Sequence, residues 1–370
     1  MKAFYDIFED DSRNGTKLKT DEYCVTGKNC IIDQGKELVA GYTDREEGLY
    51  IDVPAIIFGD HTRIIKYIDK PFFLGADGVK ILKSKVDNSN YKYLYYALKN
   101  AKIPDTGYNR HFKWLKEVQI KYPNSDIQAD IVRILDKVSE IISKRHRQLN
   151  ELDMLVKARF VEMFGDPQLN PKGWKVVNIS EVVGGKVSNG FFAKRDDYVN
   201  DGNVSVLGVA NIVNRMYSKI DELPRTNADD NEIKKYEVKY GDMLFCRSSL
   251  VAEGIGKASI IPENVQKNIL FECHVIRLQL DLNKCVPEFM QTLSTMDSFR
   301  NQVIAQSKTA TMTTIGQDGI LKTDIILPPL ESQRKFYNFI KQVNKSKSAI
   351  KKSLEETQIL FDSLMQKYFG

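Results

Sequence analysis

Six short stretches hold the residues best suited to chemistry. HTRIIK supplies His61, Thr62, Arg63 and Lys66 on a turn after an apolar run, and TGYNRHFK supplies Tyr108, Asn109, Arg110 and Lys113 beside His111. SNGFFAKR gives Ser188, Asn189, Lys194 and Arg195; CRSS gives Arg247, Ser248 and Ser249; Lys257 follows two glycines; SKTATMTT gives Lys308, Thr309, Thr311 and Thr313. Arginine pairs bidentately with guanine, and threonine reaches a base edge or a thymine methyl. Basic and aromatic residues interleave at 106–113, as in loops that meet nucleic acid. Glycines before Lys257 let backbone approach a phosphate. The chemistry these residue types could do is recognition of an anionic, base-bearing polymer. For each stretch the plain alternative is a solvated loop.

Bond-making chemistry has no comparable signature. The chain has no N-P-P-aromatic motif for methylating a base and no glycine-rich strand–turn–helix for a dinucleotide. GIGKAS at 254–259 resembles the tail of a phosphate loop, but it lacks the first glycine and has Ala258 where Ser or Thr is needed. No acidic pair with E-x-K marks a nuclease, and no motif anchors a Ser-His-Asp or Cys-His pairing. The five cysteines form no C-x-x-C pair and the four histidines show no metal spacing, which points to a reduced cytosol and no metal site.

These loops need elements to hold them, and the chain writes its elements twice. An offset of 205 residues lays Pro123–Gly165 on Pro328–Gly370 without a gap. The identities include Pro123/Pro328, Gln128/Gln333, Val138/Val343, Leu149/Leu354, Glu151/Glu356, Leu155/Leu360 and Phe164/Phe369. Apolar residues recur every three or four positions: Ile127, Ile131, Ile134, Val138, Ile141, Leu149, Leu152, Leu155 and Met163 in one copy. The other has Phe336, Phe339, Val343, Ile350, Leu354, Leu360, Leu364 and Tyr368. Each copy predicts one helix of roughly 40 residues, about 60 Å long. Such a stripe needs a partner, and the repeat itself, lying antiparallel as a coiled coil, is the nearest one. Arg145 and Arg159 interrupt the stripe where the second copy has Ile350 and Leu364, so some positions are expected to face another protein.

The repeat divides the chain into a domain (1–122), a helix (123–165), a domain (166–327) and a helix (328–370). Strand-like segments such as VPAIIFGD, FFLGADGVKILKS, NVSVLGVANI, YGDMLFC and FECHVIRLQL alternate with helix-like NYKYLYYALKN and VPEFMQTLSTMDSFRNQV. EVQIKYP and TDIILPP each put a closing strand before the proline. Both domains read as α+β with mixed, curved sheets. The first is 40 residues shorter and shows no obvious counterpart of GWKVVNIS. Composition agrees with a folded, non-membrane chain: 370 residues, 42% hydrophobic, 28% charged, and no apolar run of bilayer length. The start, MKAFYDIFEDDSRNG, is acidic and polar, unlike a secretory or transit segment. The net charge of +5 sits mainly in 328–370, with eight basic residues against four acidic, so bulk charge adds little to the reading.

With the repeat in place, the chain resembles the specificity subunit of Type I restriction–modification systems. IIDQGKELVAGYTD (31–44) and FGDHTRIIKYIDKPFFLGADGVKIL (58–82) are similar to one type of target recognition domain, and YGDMLFCRSSLVAEGIGKASII (240–261) to the middle of another. IILPPLESQRKF (325–336) and FGDPQLNPKGWKVVNIS (164–180) resemble the junctions between domain and helix. The resemblance implies two target recognition domains held apart by antiparallel helices and a bipartite double-stranded DNA target. It implies docking of modification (methyltransferase) subunits, two by symmetry, which carry the S-adenosylmethionine, and of a restriction subunit that uses ATP and Mg. It implies no catalysis, cofactor or membrane contact by this chain, and a cytoplasmic setting. Two other readings stay open: a coiled-coil scaffold presenting two protein-binding domains without DNA, and the targeting part of a single-chain restriction–modification enzyme.

Overall fold

A computed structural model describes residues 1–75 and 77–370. Two compact units emerge, one from residues 1–147 with 351–370 and one from residues 148–350.

In the first unit the strands are β1 (Lys2–Ala3), β2 (Phe8–Asp10), β3 (Asn29–Ile32), β4 (Gly41–Thr43), β5 (Ala55–Gly59), β6 (Ile65–Ile68), β7 (Phe72–Leu74), β8 (Val79–Ser84) and β9 (Gln119–Ile120). Its helices are α1 (Phe4–Ile7), α2 (Tyr91–Lys99), α3 (Phe112–Leu115) and the first part of α4 (Ser125–Phe164). β2–β8–β5–β6 form one antiparallel sheet, and β4–β3–β7 a second, in which β3 and β7 run parallel. β1 pairs with β9. β5 is buried along its whole length, which is why AIIFG reads as an apolar run rather than an alternation. α2 begins where the Asn90 side chain accepts from the Tyr93 amide at 3.1 Å, and it buries Tyr93, Leu94, Ala97 and Leu98 on one face.

The second unit repeats this connectivity. Its strands are β10 (Lys175–Asn178), β11 (Ser188–Asn189), β12 (Val204–Leu207), β13 (Arg225–Thr226), β14 (Asp242–Cys246), β15 (Ser248–Ser249), β16 (Ala258–Ile260), β17 (Ile269–Phe271), β18 (Val275–Gln279), β19 (Lys308–Thr309), β20 (Thr313–Thr314) and β21 (Asp324–Leu327). Its helices are the last part of α4, α5 (Asp230–Tyr236), α6 (Pro287–Ser294), α7 (Asp297–Ala305), α8 (Gln317–Leu321) and the first half of α9 (Leu330–Phe369). The sheets run β11–β18–β14–β16 and β13–β12–β17, again with a parallel pair, β12 and β17. β10 pairs with β21 as β1 pairs with β9. β1 is thus the counterpart of the strand in GWKVVNIS, shortened to two residues and so invisible to pattern reading. The small sheet β15–β20–β19 has no equivalent among the described residues of the first unit. The expected single helix over 286–303 is two. The Thr292, Ser294 and Thr295 hydroxyls turn back to carbonyls three or four residues earlier, and Met296 is extended before α7 starts.

α4 and α9 keep the 205-residue offset at both ends and run antiparallel within each unit. In the first unit Ile131, Leu135 and Val138 share a core with Phe361 and Met365. In the second, Val156, Phe160 and Phe164 meet Phe336, Ile340 and Val343, with Phe160 5.5 Å from Phe336 and 5.4 Å from Phe289. Each fully buried Phe contributes about 1.5–3 kcal/mol. These positions correspond pairwise across the repeat. Deep burial is confined to the helix ends, however. Of the stripe residues, Ile131, Val138, Phe336 and Val343 are buried while Ile127, Ile141, Leu155 and Leu360 are exposed, and Leu135, Val156, Phe160, Ile340, Phe361 and Met365 join the buried set. The shared glutamines also have a structural reason. Gln128 and Gln333 are buried in the first turn, and each donates from Nε2 to the preceding proline carbonyl, of Pro123 and Pro328, at 2.8 Å. α4 ends on Gly165 at φ 79°, and Trp174 Nε1 donates to the freed Phe164 carbonyl at 2.8 Å.

Candidate nucleic-acid interface

In the first unit the loops after β3, β5 and α2 converge. Gly59 ends β5, and a Cβ there would meet Thr62 Oγ1 at 2.2 Å and Gln34 Cβ at 2.8 Å, so glycine lets the turn fold against Gln34. Gln34 joins the loops. Its Oε1 accepts from the His61 amide at 3.2 Å, its carbonyl from the Thr62 hydroxyl at 2.7 Å, and its Nε2 donates to the Asp77 carbonyl at 3.1 Å. Buried Asp60 pins the longer loop, accepting from the Phe112 amide on Oδ1 at 2.7 Å and from the His111 amide on its carbonyl at 2.7 Å. His111 is fully buried and serves as an anchor, its Nδ1 3.0 Å from the Asp60 carbonyl.

The expected contact residues separate into groups. His61 and Tyr108 come together, with stacked rings 4.8 Å apart. Arg110 and Lys113 are exposed, Lys113 lying over the Trp114 ring. Asn109 turns back onto the Thr106 carbonyl. Arg63, at φ 60°, is already engaged, donating to Asp105 at 2.6 Å and to the Ile103 carbonyl at 3.4 Å. The Gly107 amide and Arg63 together hold the Asp105 carboxyl below its usual range. Lys66 departs from expectation. It is 4% exposed and donates to the Asp33 carbonyl at 2.8 Å, to the Asp33 carboxylate and to the Glu37 carbonyl, and burial pulls its pKa down. It ties down the loop that carries Gln34 and is not presented to a ligand. From the same loop a groove of about 460 Å³ opens, lined by Lys36, Tyr67, Lys92, Tyr95, Lys99 and Asp136 among others.

In the second unit two of the expected stretches meet in a sheet. Ser248 pairs with Thr314 and Ser249 with Thr313, and Lys308 and Thr309 pair with the same strand. Thr313 is buried, its hydroxyl 3.0 Å from that of Thr309, whereas Lys308, Thr309 and Thr311 are exposed. Arg247 is half-buried, with a guanidinium nitrogen 3.3 Å from the Cys273 carbonyl. Asn189 joins the group through Gln317 at 3.2 Å, and the Ser188 hydroxyl is buried. Lys257 binds Asn214 at 2.9 Å through its side chain, while its carbonyl accepts from Cys246. Lys194 and Arg195 stand apart on an exposed turn packed with the β13–β12–β17 sheet. Pattern reading missed Gln34, His274 and Gln317. His274 Nδ1 shares a 2.6 Å hydrogen bond with the Ser248 hydroxyl. The only signal for Gln34 and His274 is a polar residue next to an apolar strand run.

No helix among the described residues is long and apolar enough to cross a membrane, and no group of His, Cys, Asp and Glu among them would hold a metal. A family model for the Type I restriction modification DNA specificity domain matches residues 2–154 and again residues 171–359. Among solved structures, the crystal structure of a Type-I restriction-modification system S subunit from M. genitalium has 14% identity, covering 100% of this chain and 95% of that one, with a TM-score of 0.55. A structure from work on complex assembly and conformational transition of the type I R-M system has 15% identity, covering 98% and 94%, with a TM-score of 0.50. At such identities the likeness is one of fold. No curated protein matches the chain in sequence.

Proposed function

The chain belongs to the family of Type I restriction modification DNA specificity domains, and from that premise we propose that each unit reads one half of a split double-stranded DNA target. The observation that supports this most is the duplicated fold. The same three-sheet connectivity occurs twice, each time followed by a 40-residue helix. An internally repeated reader suits two half-sites, with the bases between them unread. The surfaces offered are the Gln34–His61–Tyr108–Arg110 loops of the first unit and the Arg247–Ser249 and Lys308–Thr313 sheet of the second. Phosphate contacts position such loops, and base-edge contacts specify.

On this reading the long helices set the spacing of the half-sites and dock two methyltransferase subunits. Support comes from apolar residues left exposed on them. Leu155 and Leu360, identical and at the same place in the repeat, are 46% and 51% exposed. Ile127 and Ile141, two heptads apart with Ile134 between, are 48% and 42% exposed. Equivalent exposed leucines fit two copies of one partner. S-adenosylmethionine then belongs to the methyltransferase subunits and ATP with Mg to a restriction subunit, while this chain contributes recognition and no bond-making step.

Methylome sequencing of cells that carry the chain with its cognate methyltransferase tests the reading. The expected result is a bipartite motif with a fixed gap that vanishes when the chain is deleted. A contiguous motif, or methylation indifferent to the chain, would overturn it. A scaffold without a DNA role would also lack the steep fall of DNA affinity with salt that phosphate contacts impose.

A further inference from the structure

We propose that Tyr108 is a stacking wedge, whose open ring face receives a DNA base exposed by unstacking one step of the half-site that the first unit engages. The inference rests on the DNA-recognition reading above and adds a mode of contact to it. Tyr108 is 89% exposed, the most open of the large aromatic side chains. Its ring is nonetheless held in place, lying on the His61 imidazole at 4.8 Å with only 10° between the planes. The imidazole backs part of one face, and the rest of the ring stays open to solvent.

The platform beneath it is built from several directions. The His61 amide is held by Gln34 Oε1. The imidazole edge lies over Gly78, where a Cβ would come within 2.8 Å of Cδ2, so a side chain there would displace the ring. The loop that carries Tyr108 is tied at both ends, by Asp105 to Arg63 at 2.6 Å and by the His111 amide to the Asp60 carbonyl at 2.7 Å. Between the ties the chain turns at Gly107, φ 74°, whose amide donates to Asp105 Oδ1 at 3.1 Å and whose carbonyl accepts from the Asn109 amide at 2.8 Å. An aromatic ring with no role gains by folding onto apolar surface. This one is instead backed by a second ring and aimed at solvent, beside exposed Arg110.

A bare, backed aromatic face is complementary to another flat face. An intact duplex offers only base edges in its grooves, so the ring meets a base face only where a step opens. Stacking of this kind tolerates any base, because every base has a π face. Tyr108 would therefore contribute affinity and local deformation, and sequence preference would enter through the cost of opening the step.

The test uses the chain in complex with its methyltransferase subunits, on the duplex defined by its methylation motif, with a single mismatch walked through the half-site. A mismatch lowers the cost of unstacking. Wild type is expected to bind severalfold more tightly when the mismatch falls at one particular step, and thymines there to become permanganate-reactive. Tyr108→Ala should bind roughly five- to hundredfold more weakly and lose both signatures. Tyr108→Phe should keep them. Identical mismatch profiles for wild type and Tyr108→Ala, or permanganate reactivity that does not depend on Tyr108, would overturn the wedge while leaving DNA recognition intact. Absence of sequence-specific binding by the wild-type complex would overturn both.

Discussion

Replacing Lys66 by Met separates a lysine that touches DNA from one that holds the loop that does. Met keeps the unbranched stem and removes the ammonium. The structure predicts that the Asp33 and Glu37 carbonyls then lose their buried donor. Leaving an acceptor unpaired where water cannot reach it costs about 1–3 kcal/mol. Glu37 is exposed and the Asp33 carboxylate partly so, and both rehydrate, which leaves the Asp33 carbonyl as the main loss. The cost is about 1–3 kcal/mol, or a fall in Tm of roughly 2–12 °C at about 2–4 °C per kcal/mol. Thermal melts followed by near-UV circular dichroism read the stability. DNA titrations from low to moderate salt read the charge. Because Lys66 does not reach a phosphate in this fold, the slope of log affinity against log salt should not change. A phosphate-contacting lysine would instead leave Tm alone and reduce that slope by about 0.9. Unchanged Tm with a reduced slope would refute the reasoning.

Gln333→Leu should destabilise more than Gln128→Leu in urea denaturation, by about 2 kcal/mol against about 1, because Gln333 also accepts from the Val286 amide at 2.8 Å while Gln128 serves one carbonyl. Burial raises the Asp242 carboxyl to about 6 despite Arg277 3.8 Å away. The stability tied to its neutral form is therefore complete below about pH 3.8 and lost as pH rises through 6, about 3 kcal/mol in all. Asp242→Asn should remove that component, so that Tm against pH runs flatter for the variant between pH 4 and 6. Inserting two heptads into both α4 and α9 adds about 21 Å of helix, and the unread gap of the methylation motif should grow by roughly six base pairs; an unchanged gap would show that the helices do not set it. Arg63→Ala, which releases Asp105 and loosens the loop that carries Tyr108, should alter methylation at one half-site only, and a motif left intact at both would show that this tie does not matter to reading.

The amino-acid sequence alone determined the plan of the protein. Local rules suffice for that: apolar runs such as AIIF and MLF make buried strands, a proline followed by an acid opens each long helix, and a repeat at a constant offset shows wherever the same fold is written twice. Even the matched glutamines were visible, though not their bond to the proline carbonyl. What the tertiary structure decided was which polar side chains are free. Lys66 and Arg63 look alike in HTRIIK, yet one is buried on Asp33 and the other tied to Asp105, partners 33 and 42 residues away. His111 and Tyr108 share one loop, and only contact with Asp60 sends the first inward and leaves the second bare. The helices teach the same point. A three- and four-residue apolar period marks more than one face, and packing against each unit's own sheet and helix layers selected Leu135 and Phe160 while leaving Ile141 and Leu155 in water. Periodicity is a property of neighbours along the chain, whereas burial depends on atoms that folding brings from far away.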